Sequence, residues 1–520
     1  MTRKPNFLFF ITDQQRADWL SCTGHSVVRT PNIDKIAAEG TLFKDFHVAL
    51  PVCMPNRASL MTGRMPSVHG LRHNGCTLQK RANTFVDLLA AGGYATASIG
   101  KSHLQPFTDL PPIRATDNLE RLIPEAWKSD AADYNMEEPS SFNGDSVSAF
   151  EVPYYGFQHV DMVTSHGDKC GGQYGQWFRK TVPNWQALHD PANELDHNYT
   201  CPQAYRTPIP EESYPTKWIA DRAIDYLESR MDKNDPFFAF VSFPDPHHPF
   251  NPPGKYWDMY RPDEFSVNLP YGAHENPIPP MEHANQIWEA GEMPPISQSA
   301  FMADDQQIRE AMALTAGMIT MIDDQIGRIV KSLKDSGHYE NTVIIFTSDH
   351  GDYLGDFNML LKGPLQLPSI TRVPMIWSDP KSRAAVLTEA MASTIDVSAS
   401  ILDRAGLEPF NGIQGRSFLN ALDGKSSHRD EVFIEHNDGG PRMGLKQAAR
   451  VRTIRNKKWR FSVFAGEKWG ELYELEDDTK ETKNLWHDPI YSHQKAYLSL
   501  QLVEYLTLQM DESPRAMRLA

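Results

Sequence analysis

Two short stretches of the chain are apolar at every position: Phe7-Leu8-Phe9-Phe10-Ile11 and Val343-Ile344-Ile345-Phe346. Unbroken runs of aromatic and β-branched residues suit strands buried on both faces, as in a parallel sheet covered by helices. Each run ends on a polar step, Thr12-Asp13 and Thr347-Ser348-Asp349. Residues 97–99, 237–243 and 373–377 are further strand candidates. Between these runs the apolar spacing changes to three and four. That spacing predicts helices over 83–91, closed by Gly92-Gly93, over 216–231, and most clearly over 305–336. In the last, Ile308, Met312, Ala316, Ile319, Ile322, Ile326, Ile329 and Leu333 make one stripe, and Gly337 supplies the stop. The alternation predicts an α/β fold: a large, mostly parallel central sheet sandwiched by helices.

Two regions break the pattern. Residues 105–215 and 250–303 are rich in Pro, Asp, Asn and Tyr and show little periodicity. Long irregular insertions in an α/β scaffold are expected to wall an active site. Past 380 the character changes again, with strand-like 451–455, 459–464 and 472–475, a hairpin loop at Asn456-Lys457-Lys458, and a helix over 489–510. The expected division is a catalytic domain at 1–380 and a smaller C-terminal α+β domain with an antiparallel sheet at 381–520. The final helix carries Tyr497, Leu498, Leu502 and Tyr505 at helical spacing. That stripe is expected to pack on its own domain, the alternative being a homo-oligomer face.

Charge and cysteine content narrow the picture. The formal net charge is −16 over 520 residues. Such a surface repels nucleic acid and anionic membrane, so neither is expected as a partner. An anion site would therefore need a local concentration of positive charge. No apolar run reaches the ~20 residues that cross a bilayer. After Met1-Thr2-Arg3-Lys4-Pro5 only residues 6–12 precede Asp13, too few for a signal-peptide core, and a cytoplasmic location is expected. The five cysteines (Cys22, Cys53, Cys76, Cys170, Cys201) are odd in number and form no C-x-x-C pair. A reducing compartment without disulfides or structural zinc fits that count.

The polar steps are the first chemistry. In open α/β sheets ligands sit beyond the carboxyl ends of the strands. Asp13 and Asp349 lie at two such ends, followed by Gln14 and His350. Two carboxylates, an amide oxygen and an imidazole suit one divalent ion; the alternative is that each Asp caps the next helix. The second feature is Cys53-Met54-Pro55-Asn56-Arg57, continued by Ala58-Ser59-Leu60-Met61-Thr62-Gly63-Arg64. A cysteine phosphatase loop would need Arg six residues after its Cys. Ser59 stands there for Cys53, and Thr207 for Cys201.

C-x-P-x-R with A-S-L-M-T-G-R behind it resembles the formylglycine signature of the sulfatase family, within the alkaline phosphatase superfamily. Further blocks follow in the family's order: Thr30-Pro31-Asn32-Ile33-Asp34, Gly100-Lys101-Ser102-His103, Pro246-His247-His248-Pro249 and Ser348-Asp349-His350-Gly351-Asp352. Lys362, Glu471-Leu472-Tyr473-Glu474-Leu475 and Asn484-Leu485 complete the likeness over most of the chain.

The resemblance implies a mechanism. A maturation enzyme oxidises Cys53 to formylglycine (3-oxoalanine), which hydrates to a geminal diol. One hydroxyl attacks the sulfur of a small-molecule sulfate ester and expels the alcohol; the other then loses its proton, sulfate leaves, and the aldehyde returns. The implied metal ligands are Asp13, Gln14, Asp349 and His350. Gln14 and His350 resemble the phosphonate monoester hydrolase branch rather than the commoner calcium sites, so both Ca2+ and Mn2+ are candidates. Arg57 is expected to hold the diol and Asn74 to touch the substrate. Lys101, His103, His247 and Lys362 form a positive ring that stabilises the anion and protonates the leaving oxygen. Asp34, Arg64 and His69 are read as structural. The charged pair Lys101 and His103 favours sulfate monoesters of aryl or small alkyl alcohols, with side activity on phosphonates and phosphodiesters. The alternatives are a phosphonate monoester or phosphodiester hydrolase with the same nucleophile, and an unconverted, non-catalytic family member.

Overall fold

The computed structural model describes residues 4–112, 125–128, 130–144, 146–294 and 298–519. The first three residues and short parts of both insertions expected to wall the site lie outside the described residues. In chain order the strands of the large sheet are β1 (Asn6–Thr12), β2 (Thr41–His47), β3 (Ala95–Lys101), β4 (His159–Thr164), β5 (Phe237–Ser242), β7 (Thr342–Ser348), β9 (Met375–Ser378) and β10 (Val386–Ser393). The two-residue strands β6 (Phe301–Met302) and β8 (Met359–Leu360) pair apart from it. The sheet order is β10-β2-β9-β7-β1-β5-β3-β4. β9 runs antiparallel to β2 and β7, and all other neighbours are parallel.

The unbroken apolar runs have a direct cause. Leu8 and Phe10 point into one core, while Phe7, Phe9 and Ile11 point into the other. β7 splits the same way, Ile344 and Phe346 against Val343 and Ile345. Both faces are dry, so every position is apolar. The first core is roofed by the helix Asp305–Asp335, whose Asp304 side chain accepts from the Gln307 amide at 2.8 Å and caps its start. All eight residues of its predicted stripe join that core. The second is roofed by the helices Cys53–Thr62 and Thr394–Ala405, through Met54, Ala58 and Met61 on one and Val397, Ile401 and Leu402 on the other.

The C-terminal sheet has four antiparallel strands, β11 (Glu431–Asn437), β12 (Arg450–Asn456), β13 (Trp459–Phe464) and β14 (Gly470–Glu474). The helix Ser492–Leu508 lays Leu498 and Leu502 against Ile454, Phe461 and Leu472, and Tyr505 stacks on Phe433 at 3.4 Å. Three of the four stripe residues thus serve their own domain, whereas Tyr497 is 56% exposed. The expected division at 380/381 falls ahead of β10, an edge strand of the large sheet paired with β2. Residues 386–405 therefore pack with the catalytic core rather than with the small sheet. No helix among the described residues is long and apolar enough to cross a membrane, and all five cysteines are free.

Candidate active site

Strand register brings the polar steps together. Thr12 lies opposite Ser348, Ile11 opposite Ser242, and Gly100 opposite Ser242. The residues beyond these points all emerge at one edge: Asp13-Gln14 from β1, Asp349-His350 from β7, His247 from the turn after β5, and Lys101 at the end of β3. Asp13, Cys53, Asp349 and His350 each offer a ligand atom within 4.8 Å of the others, and all four are buried. His350 hydrogen-bonds the Gly351 carbonyl through Nδ1 at 2.8 Å, which fixes the proton there and presents the Nε2 lone pair to the carboxylates. A metal-binding histidine needs that tautomer. Burial holds its pKa down, to about 4, so the ring is neutral. Two fully buried carboxylates this close call for cations between them. The donor set therefore fits a divalent ion. Gln14 adds its amide at the rim: Oε1 accepts from Lys362 Nζ at 2.5 Å, while Nε2 donates to Asp352 Oδ2 at 2.5 Å.

Cys53 opens the buried helix Cys53–Thr62, with Val52 extended before it. The spacing of C-x-P-x-R now has a physical meaning. Pro55 sits in the first turn, where backbone N–H groups have no helical acceptor to lose. Arg57 is one turn past Cys53 and so shares its face. Arg57 Nε donates to Asp349 Oδ2 at 2.7 Å, and Nη1 donates to the Lys101 carbonyl at 3.0 Å and Ser242 Oγ at 2.8 Å. Its Nη2 has no hydrogen-bond partner and lies 3.7 Å from Asp13 Oδ2. Gly63 closes the helix at φ +63°, where a Cβ would meet Ser398 Oγ at 2.3 Å. Cys53 Sγ stands 3.1 Å from His350 Nε2 and 3.6 Å from Asp13 Oδ1. Burial, reinforced by Asp13, pushes the thiol up to about 12, so the sulfur is no thiolate at neutral pH.

Lys101 and Lys362 lie over Cys53 with His103 and His247, whose imidazoles burial holds well below their usual range. Lys101 Nζ bonds Asp13 Oδ2. Burial alone would raise the Asp13 carboxyl, but Lys101 and then His247 hold it well below its usual range. Lys362 Nζ donates to His247 Nε2 at 2.9 Å, and His247 Nδ1 donates to the His248 carbonyl at 2.6 Å. His103 is 4% exposed, stacks on Phe107 at 3.8 Å, and keeps a buried Nδ1 without a partner. Asn74 is exposed, and its Oδ1 accepts from the Met54 amide at 3.2 Å, in the first turn of the helix Cys53–Thr62. Ten of the eleven candidate residues are buried; Asn74 and His103 reach the others through Met54 and Phe107.

Residues 5–141 and 148–407 match the Sulfatase family model, and 362–507 match that of the N-sulphoglucosamine sulphohydrolase C-terminal region. The chain belongs to the sulfatase family. Among its relatives, the arylsulfatase of Clostridium perfringens is 28% identical over 510 residues, covering 97% of this chain and 94% of the relative. The multifunctional alkaline phosphatase superfamily protein PehA of Trinickia caryophylli is 28% identical over 519 residues, covering 95% and 93%. The solved phosphonate monoester hydrolase of Agrobacterium radiobacter superposes with a TM-score of 0.77 at 26% identity, covering 99% of this chain and 98% of that one. The chain is a sulfuric ester hydrolase of the alkaline phosphatase superfamily and has its fold.

Several contributors to this sulfatase site carry no sequence signal of their own. Asp352 ends the stretch Ser348-Asp349-His350-Gly351-Asp352. It accepts the Gln14 amide and the Leu354 and Leu361 N–H groups at 2.7 and 2.8 Å, which fixes the metal-side amide. Glu137, from the first insertion, accepts the backbone N–H groups of His103, Leu104 and Gln105 at 2.8–3.0 Å and so shapes the His103 loop. Asn56 Nδ2 donates to the Asp349 carbonyl at 2.5 Å. His166, beside Lys101 and His247, had no motif at all.

Proposed function

We propose that this chain hydrolyses sulfate monoesters of aryl or small alkyl alcohols. The reaction would use Cys53, converted by a maturation enzyme to formylglycine, and one divalent ion, Ca2+ or Mn2+, held by Asp13, Gln14, Asp349 and His350. The observation that carries this reading is the gathering of Arg57, Lys101, Lys362, His103 and His247 around a nucleophile position in a protein of net charge −16. Such a concentration of buried donors suits a group with charge on every outer oxygen.

When bound, the ion supplies Lewis acidity to the nucleophile and to the developing anion. Hydrated formylglycine supplies one oxygen to attack sulfur and a second to release sulfate. The chain's own groups do the rest. The unpaired Arg57 Nη2 and the Lys101 ammonium face the nucleophile side. His247 has Nδ1 tied to a carbonyl, so Nε2 is the nitrogen free to exchange a proton, and Lys362 is bonded to it. That pair protonates the leaving alkoxide. The five free cysteines suit a reducing, cytoplasmic setting.

The runner-up is a phosphonate monoester or phosphodiester hydrolase, favoured by Gln14 and His350 and by the likeness to the Agrobacterium enzyme. Lys101 and His103 argue for sulfate. The test is kcat/KM for an aryl sulfate and an aryl phosphonate monoester sharing one leaving group, on one preparation. The expected result is a sulfate preference of about tenfold or more, the value of one extra charged contact. A reversed preference keeps the nucleophile and metal ligands but overturns the substrate class.

A further inference from the structure

His166 follows β4, the strand next to the one that ends at Lys101. Its Nε2 lies 2.6 Å from Lys101 Nζ and 3.7 Å from Asp13 Oδ2. Its ring stacks on His247, with centroids 3.6 Å apart and planes 13° apart, and Phe107 meets it edge-on at 5.6 Å. The turn that presents it is tightly determined. Ser165 and Gly167, on either side, have φ of +66° and +53°. A Cβ at 167 would sit 2.6 Å from Asn251 Oδ1. Asn251 is itself fixed, donating to Asp168 Oδ1 at 2.7 Å and accepting from the Tyr214 hydroxyl at 3.0 Å. An L-residue in the left-handed region persists only where its surroundings impose it, and such residues gather at functional sites. Gln14, His103 and Leu361, the last beside Lys362, have φ of +67°, +59° and +66°. Each belongs to a loop that delivers a site residue. Ser165 is a fourth at the site, of thirteen such residues among the described residues, and its loop delivers His166.

We propose that His166 is a positioning residue for the anion clamp, setting Lys101 and His247 at once. An ammonium group has three N–H bonds. Asp13 takes one, His166 Nε2 takes the second, and the third is left for an oxygen of the bound anion. The stacked ring meanwhile fixes the plane of His247, and hence where its Nε2 meets the leaving oxygen. This inference rests on the ester-hydrolase reading of the site.

Three substitutions separate the two duties. His166→Phe keeps a ring against His247 but removes the acceptor; His166→Gln restores an acceptor but removes the ring; His166→Ala removes both. Each is assayed as metal-loaded full chain for the affinity of inorganic sulfate by calorimetry. Parallel assays give kcat and KM for aryl sulfates with good and poor leaving groups, and Tm. His166→Phe is expected to weaken sulfate and raise KM about tenfold, as for one charge-assisted hydrogen bond, with the leaving-group dependence of kcat unchanged. His166→Gln is expected to recover sulfate affinity to within about threefold, while kcat for the poor leaving group falls more than for the good one. Sulfate affinity and both turnover rates within twofold of the parent in all three variants would overturn the proposal, as would a loss confined to Tm. If the parent turns over neither ester yet binds sulfate in a His166-dependent way, the hydrolase reading fails and the positioning role stands. A parent that neither binds sulfate nor turns over overturns both.

Discussion

Two buried ionic clusters in this protein have similar parts and opposite finish. In the C-terminal sheet, Arg460 is wholly buried on β13. Its Nε donates to Glu481 at 2.6 Å, Nη1 to Glu471 at 2.8 Å and to Ser462 Oγ at 3.0 Å, and Nη2 to Glu471 at 3.2 Å. Arg455 adds a second cation to Glu481 at 2.5 Å, and Tyr473 lies 4.5 Å from the Arg460 guanidinium. Every nitrogen is engaged. At the edge of the large sheet, Arg57 is equally buried between Asp13 and Asp349, yet its Nη2 is unpaired, as are His103 Nδ1 and His248 Nε2. Left-handed residues occur at both clusters, at Gln14, His103, Ser165 and Leu361 around the second and at Glu481 in the first. A complete network stabilises and specifies a fold; an incomplete one, with buried donors left unpaired, is what a site awaiting an anion and a cation looks like.

If that contrast is right, the two clusters respond to substitution in different currencies. The largest effect is expected at the nucleophile. Cys53→Ala should lower kcat by about 10⁵-fold or more while leaving the urea midpoint near that of the parent; steady-state kinetics and denaturation on the same sample check both halves. Arg460→Met should do the reverse. It strands Glu471 in the interior and leaves Glu481 to Arg455 alone, which destabilises by about 3–5 kcal/mol, while kcat/KM per folded molecule is unchanged. A large activity loss at full stability in Arg460→Met would erase the distinction. Lys101→Ala should lower kcat/KM for the aryl sulfate by about 10²–10³-fold, with a smaller loss for the phosphonate, since fewer charged oxygens lose a partner.

The smallest effect sharpens the contrast on the stability side. Burial would raise the Asp396 carboxyl, but Arg429 and His428 hold it well below the usual carboxylate range. The folded pKa is therefore the lower one. The stability it contributes is complete above the unfolded value of about 4 and is lost as pH falls through the folded value. Asp396→Asn should thus be less stable than the parent at neutral pH, by a gap that narrows below about pH 4. Urea midpoints across that range test it; a gap independent of pH would mean that the Asp396 charge adds nothing.

Legibility in the sequence followed the same division. β1, β7 and the long helix were readable because both sheet faces are dry and one helix face is apolar, so composition and period agree. β4 was not. It is an edge strand with His159 exposed and Asp161 half-buried, set inside a stretch that lacks periodicity. β2 mixes Lys44 and Asp45 into its run, and β10 carries Thr388 and Glu389 beside a register shift, so the outer strands of the sheet also escaped. The expected division at 380/381 was drawn without β10, which pairs with β2 in the large sheet. Of the site residues, strand ends announce Asp13 and Asp349, while Cys53, Arg57, Lys101, His103, His247 and Lys362 were legible only through their resemblance to the family's motifs. His166 was hidden because its nearness to Lys101 depends on β4 lying beside β3, which no local pattern states. Glu137 was hidden for a related reason, since it acts on backbone N–H groups of a loop 32–34 residues earlier in the chain.

The central claim is that position 53 works as an aldehyde rather than as a thiol. Mass spectrometry of the tryptic peptide from Asp45 to Arg57 tests it most directly, on protein made in a host that has the maturation enzyme. The account predicts a peptide lighter than the encoded one by the mass of hydrogen sulfide less one oxygen atom, reactive towards a hydrazide and inert to a thiol alkylator. A peptide found only at its encoded mass and alkylated at Cys53 after unfolding, from protein that still turns over an aryl sulfate, would contradict it.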